Sequence, residues 1–237
     1  MSMQKTIANA VDPDGKWLYR LGGISALVLG LAYIITIALY VPVGAPPSGA
    51  EARLTYVAGN TTVWWAILGL SVLTDFLFVP VALALYLALK GINRNAMLVA
   101  TAFVGLFIVL DLAITWTNYA ALITLSGKYA TATSDVQRAV FVAAATYPSA
   151  VLESSLLGVY NTLTLAVGIL ITGVVMLKGI FNKSTAYLGL VTGILGIVSV
   201  VGPFFVSALG VIIIITSILT TIWILVVGYR LYRLSQP

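Results

Sequence analysis

Seven acidic residues occur in this chain of 237, and three of them fall inside or at the edge of long apolar runs: Asp75, Asp111 and Glu153. A carboxylate at the centre of a hydrocarbon layer costs about 2.5–3.5 kcal/mol on insertion scales, so such positions call for a compensating role. No lysine or arginine lies inside any of these runs to pair with them. Two chemistries stay open. The acids can be protonated structural groups, hydrogen-bonded to Thr or Asn and pinning helices together. Alternatively they face a water-filled or ligand-filled cavity and bind protons or a cation.

Spacing gives the acids company. On a helix, Asp111, Thr115 and Asn118 fall at i, i+4 and i+7, one polar stripe; Ser149, Glu153, Tyr160 and Thr164 share a face at i, i+4, i+11 and i+15. Asp75 lies 15 residues before Lys90, Asp111 lies 17 after Arg94, and Asn161 lies 17 before Lys178. At 1.5 Å per residue, all three stand about 22–26 Å above those basic anchors. Thr36, Ser199 and Thr216 fall at the same height, and Glu153 falls further out. The expectation is a polar layer beyond mid-membrane, with Asp75, Asp111, Glu153, Asn161, Thr115, Asn118, Trp116 and Tyr160 as candidate ligand- or proton-binding residues.

Aromatic side chains crowd the same end: Tyr56, Trp64, Trp65, Trp116, Tyr119, Tyr129 and Tyr147. Interfacial anchoring accounts for most of them. Trp116 is deeper and beside Asp111, where an aromatic wall next to a carboxylate suits a cationic ligand.

Several sharper chemistries are excluded. The chain has no cysteine and no histidine, which removes disulfides, thiol nucleophiles, His-held haem and the usual zinc sites. Aspartyl intramembrane proteases need Gly-x-Gly-Asp, whereas the acids here follow Val72-Leu73-Thr74 and Ile108-Val109-Leu110. A retinal protein needs a mid-membrane lysine, and a serine-type intramembrane protease needs a histidine. No phosphate-binding or dinucleotide fingerprint occurs. No catalytic residue, metal site or cofactor is therefore assigned.

The elements that must position these residues follow from composition. Hydrophobic residues make up 61% of the chain and charged ones 8%, with a mean hydropathy of +1.09, too little polarity to coat a soluble domain. The runs are continuous rather than alternating, which argues against a membrane β-barrel. The fold class expected is all-α: a polytopic membrane helical bundle forming one domain over residues 1–237. Its six transmembrane helices fall at about 18–41, 62–89, 96–125, 149–177, 185–201 and 205–230. The first run is too long for a signal-peptide core and reads as a span.

Pro42, Pro46 and Pro47 end the first span, Gly91 and Asn93 punctuate a tight second connection, and Gly202-Pro203 makes a sharp reversal. Ser134 or Asp135 caps a short interfacial helix over 136–146, which should break at Tyr147, ahead of Pro148. Small residues at four-residue spacing (Gly22, Ala26, Gly30; Gly189, Gly193) mark seams where helix backbones approach closely.

Orientation follows from the basic residues. Lys5, Lys16, Arg20, Lys90, Arg94, Lys178, Lys183, Arg230 and Arg233 share the side of the termini; Arg53, Lys128 and Arg138 lie opposite. That bias puts both termini in the cytoplasm of a cell (plasma or inner) membrane. The basic residues mark helix ends and form no cluster for nucleic acid.

The opening Trp17-Leu18-Tyr19-Arg20-Leu21-Gly22-Gly23 into a long first span resembles bacterial multi-pass proteins grouped as the domain of unknown function DUF4386, whose length and six-span layout are similar. The resemblance implies an architecture and no activity. Three functions stay open: a binding or transport protein for a small cation, proton or cationic amphipathic molecule; a non-catalytic subunit or scaffold of a larger membrane complex; and an intramembrane enzyme on a lipid-soluble substrate. Partners expected are the lipid bilayer, a small-molecule or cation ligand, and partner subunits or further copies of the chain.

Overall fold

The computed structural model describes residues 15–236, so Lys5, Asp12 and Asp14 lie outside the described residues. Within them every regular element is helical. The principal ones are α1 (Lys16–Val43), α2 (Ala50–Ala58), α3 (Thr61–Leu110), the π-helical segment π1 (Asp111–Trp116), α4 (Thr117–Ala130) and α5 (Asp135–Glu153). They are followed by α6 (Leu156–Gly158), a second π segment, π2 (Val159–Leu163), α7 (Thr164–Met176), α8 (Lys183–Val201) and α9 (Ile212–Leu234). Two 3-10 turns, Gly202–Phe204 and Ser207–Val211, join the last two helices at the expected Gly-Pro reversal. Five helical stretches are long and apolar enough to cross a membrane: Lys16–Val43, Thr61–Ala130, Leu156–Met176, Lys183–Phe204 and Ser207–Leu234. Such helices fit an integral membrane protein.

The second stretch is too long to run straight. Its first element alone, α3, has 50 residues, or about 75 Å at 1.5 Å per residue. It doubles back at Asn93, whose backbone leaves helical geometry (φ −153°, ψ 91°). The Asn93 side chain accepts from the Ala96 amide at 3.1 Å and so caps the second arm. Ring contacts verify the hairpin: Phe78 and Phe107, one on each arm, meet edge to face with centroids 5.4 Å apart.

The helices close into a ring. The first arm of α3 packs on α1, the second arm on α7, α7 on α8, α8 on α9, and α9 back on α1. Glycine makes the tightest of these contacts possible. A β-carbon on Gly22 would lie 2.4 Å from the Ala84 side chain, and one on Gly23 would lie 2.6 Å from the Tyr232 amide. The two adjacent glycines therefore serve two different neighbours, α3 and α9. Gly193 is equally close to the backbone of α7, at 2.7 Å from Leu170 Cα. We call the end of the ring bearing Lys16 and Leu234 proximal and the other distal. The proximal interior is filled by Tyr19, Leu29, Leu85, Leu89, Met97, Met176, Ile224 and Leu231, all buried.

The third connection departs from expectation. Helix α5 runs through Tyr147 and Pro148 as far as Glu153, and the chain breaks at Ser154, in extended geometry (φ −66°, ψ 139°). Two forces move the break. The buried faces of Ala145 and Leu152 pack with Leu54 and Leu122, holding α5 together across the proline. At Ser154 the side chain accepts from the Leu156 amide at 3.2 Å, which starts the next helix. The third membrane-length stretch, expected from Ser149, accordingly begins at Leu156. A short helix, α2, also forms in the proline-rich first connection, where only a loop is expected.

Candidate functional site

A cavity of about 310 Å³ occupies the distal half of the ring. Its walls come from α1 (Tyr33, Thr36, Ile37, Tyr40), α3 (Ser71, Phe107), π1 (Asp111, Trp116) and π2 (Asn161, Thr162). Helices α7, α8 and α9 complete it, with α9 contributing Ile213, Thr216, Ser217, Thr220 and Thr221. Four residues expected at one depth, Thr36, Asp111, Asn161 and Thr216, do share this wall. Asp75 and Ser199 do not: both are buried, but Ser199 donates to the Gly196 carbonyl within its own helix.

Asp111 is the charged group of the cavity. Its residue is 5% exposed; Oδ2 accepts from the Trp116 indole N–H at 3.1 Å, while Oδ1 is buried without a partner. The π winding of π1 makes this pair: the wider turn brings residue i+5, rather than i+4, over the carboxylate. Thr115, at i+4, is buried beside Asp111, its hydroxyl near enough to interact with the carboxyl group but without a well-formed hydrogen bond. Asn118 is turned away to donate to the Ile114 carbonyl. The α-helical stripe Asp111–Thr115–Asn118 is thus broken, because one slipped hydrogen bond rotates everything after it.

The second π segment has the same effect on the other wall. Asn161 and Thr162 reach the cavity together, with the Thr162 hydroxyl donating to Asn161 Oδ1 at 2.9 Å. Tyr160 is half-buried and outside the lining; its carbonyl accepts from the Thr164 hydroxyl. The two π segments touch one another. Side chains of Thr117 and Asn118 after π1, and of Thr164 after π2, donate to carbonyls inside those segments, supplying donors where wider turns leave main-chain acceptors short.

Asp75 is 2% exposed and sits behind Asp111, close enough for the two carboxyls, Tyr33 and Trp116 to interact electrostatically. Its Oδ2 is also buried without a hydrogen-bond partner.

Four hydroxyls of the remaining polar lining share one chemical sense. The hydroxyls of Thr192, Thr216, Ser217 and Thr221 each donate to the carbonyl four residues back in their own helix. What they present to the cavity is oxygen lone pairs. Rings of Tyr33, Tyr40, Phe107 and Trp116 add π faces, and no basic residue lines the wall. The site therefore offers acceptors, aromatic rings and one carboxyl group, together with donors from the Asn161 amide and the Thr36, Tyr33 and Tyr40 hydroxyls.

Glu153 lies elsewhere, in a cap over the distal end. Its Oε1 pairs with Arg53 Nη2 at 3.3 Å and accepts from the Gly49 amide at 2.8 Å. Gly49 takes a positive φ of 88°, a geometry that suits glycine and aims this amide at the carboxylate. Arg53 is 6% exposed and also donates to the carbonyls of Pro47 and Ser149. Ser149 and Glu153 thus meet α2, not Tyr160, since the break at Ser154 ends their shared face. Sequence reasoning used Arg53 only as a topological charge and missed its structural role.

Beneath the cap lies an aromatic cluster. Trp64 is fully buried, stacked on Tyr119 at 5.1 Å, with Tyr40 and Tyr56 edge-on at 5.8 and 5.9 Å. It is a core residue rather than an interfacial anchor, whereas Trp65 and Tyr147 are 48% and 74% exposed, as anchors are.

Among the described residues no group of three His, Cys, Asp or Glu side chains is placed to hold a metal ion. No protein-family model, curated protein or solved structure matches the chain.

Proposed function

We propose that this is a multi-pass protein that crosses the cell membrane six times, with its termini in the cytoplasm and a distal, outward-side cavity that binds or transports a small cation, proton or cationic amphipathic molecule. The six crossings are the five membrane-length stretches with the second counted twice, because it reverses at Asn93. The orientation rests on the basic residues gathered at the proximal end. The DUF4386-like layout of the opening residues and spans agrees with this architecture.

One observation carries the ligand reading: Asp111 lines the cavity and keeps one buried carboxyl oxygen without a well-formed hydrogen bond, in a wall to which no described basic residue contributes. A buried carboxyl group beside a second one is stabilised by a proton or by a counter-charge, and the lone pairs and rings in the wall can meet a cation. The test is thermal melting of the wild type and Asp111→Asn against a panel of inorganic and organic cations and across pH. A ligand that binds only the folded state raises the melting temperature with the logarithm of its excess over Kd. Wild type should show a cation- or pH-dependent rise that the Asn variant lacks. Identical melting of the two proteins under every condition would hand the case to the scaffold alternative. That alternative has one observation in its favour, since Asp75 lies outside the lining and suits a structural role.

A further inference from the structure

We infer that the cavity is entered sideways from the bilayer, through a mouth between the distal halves of α1 and α9, and that its ligand is an ammonium head group carrying a hydrocarbon tail left in the lipid. The inference rests on the cation-binding reading above and adds to it the ligand class and the route. Among the lining residues only Ile37, Ile213 and Ser217 are exposed, the first two by 40% and 36%, and all three lie on α1 or α9. Every other wall residue is buried or half-buried.

The seam between these helices explains the mouth. In its proximal half, small residues lock the backbones together: a β-carbon on Gly23 would meet the Tyr232 amide at 2.6 Å, and one on Gly228 would meet Ala26 Cβ at 2.9 Å. In the distal half the two helices contribute Thr36, Ile37, Tyr40, Ile213 and Ser217 to the lining, none of them glycine or alanine. On the side of α3 and α4, aromatic rings separate the cavity from the cap. No residue of α2 or α5 lines the cavity, and the stack of Trp64 on Tyr119 lies with Tyr40 and Trp116 between cavity and cap.

The lips are apolar, because Ile37 and Ile213 flank a Ser217 hydroxyl already spent on the Ile213 carbonyl. They suit methylene groups, while the interior offers Asp111 and ring faces to a positively charged head. A volume of about 310 Å³ holds a head and a few carbons, so a long chain must leave through the mouth.

The experiment uses the full chain in lipid nanodiscs, with trace radiolabelled hexadecyltrimethylammonium bound in a scintillation-proximity format and empty nanodiscs subtracted. Tetramethylammonium, read by melting, is the tail-free probe. Wild type should hold the long-chain cation saturably, and Ile37→Trp or Ile213→Trp, which fill the mouth, should weaken it at least tenfold. The same variants should weaken tetramethylammonium less than they weaken the long-chain cation, since it has no tail to lie in the mouth, whereas Asp111→Asn should remove both. Ser217→Trp replaces any mouth variant that fails to melt cooperatively.

Unchanged long-chain binding in the mouth variants would overturn sideways entry, and so would wild type that binds tetramethylammonium but excludes the long chain. In either case loss of tetramethylammonium binding in Asp111→Asn keeps the cavity reading standing. Failure of wild type to bind both probes would sink the two together.

Discussion

The proximal and distal halves of the ring are built from the same helices by opposite means. Proximally, glycines and alanines bring backbones into contact and large apolar side chains fill the centre, leaving an apolar gap of only about 20 Å³. Distally, the same helices carry hydroxyls, carboxylates and aromatic rings around a cavity of about 310 Å³, and two of them loosen into π turns. Lipid offers apolar helices no gain from hiding apolar surface, so close packing of small residues must supply the adhesion. The packed half can then hold the ring while the other half departs from regular helix. Stability and site are divided between the two ends.

The comparison breaks most sharply at the proximal seams. Gly23→Leu or Gly193→Leu would force a side chain into backbone only 2.6–2.7 Å away from the first added carbon. The expected loss is about 3 kcal/mol or more, at the upper end for overpacked sites. It should be visible as a collapse of cooperative melting in detergent. Tolerance of either change would mean that the seams do not carry the fold.

The next largest effect belongs to the cap. Arg53→Met leaves Glu153 with the Gly49 amide and takes the guanidinium from the Pro47 and Ser149 carbonyls, but Glu153 is partly exposed and can recover water. A cost of about 1–2 kcal/mol follows, rather than the larger penalty of a fully buried broken pair. Limited proteolysis between α5 and α6 should accelerate, with ring melting less affected. Equal loss of both would show that cap and ring unfold as one unit.

Topology can be tested by labelling, since the chain has no native cysteine. Cysteines placed at Ser48 and Thr131 should react with impermeant reagents from outside the cell, and those at Asn93 and Asn182 should not. The reverse pattern would invert the two halves relative to the membrane; one discordant site would sink the count of six.

How much of this was legible in the sequence also divides by half. The membrane-length helices, the reversal at Asn93 and the glycine contacts follow from long apolar runs, a cap residue and small-residue spacing, all local signals. The distal half depends on where hydrogen bonds slip. A π turn changes no residue type, so Asp111 and Trp116 at i+5 look no different from any other pair, and the stripe through Asn118 was drawn on α-helical spacing. The break at Ser154 instead of Tyr147 was decided by packing between Leu54, Ala145 and Leu152, residues far apart in sequence. Arg53 gave no local signal that it would be buried.

The smallest expected effect separates the two aspartates. Asp111 has one free oxygen at the cavity wall, whereas Asp75 stands behind it and outside the lining. If the cavity binds a cation, Asp111→Asn removes the contacting charge and should abolish ligand-dependent stabilisation. Asp75→Asn removes only a charge felt across the Asp111 side chain, where attraction is weaker with distance, so affinity should fall severalfold at most. Neither change alters shape or hydrogen-bonding capacity greatly, so unliganded melting should move by less than about 1 kcal/mol in both. Leucine at either position would strand the neighbouring polar atoms and cost about 1–2 kcal/mol. Side-by-side titrations of both Asn variants with one cation decide the matter. Equal loss would make the aspartates a shared site and place Asp75 in contact with the ligand. Greater loss in Asp75→Asn would move the site off the cavity altogether and remove the division between wall and support.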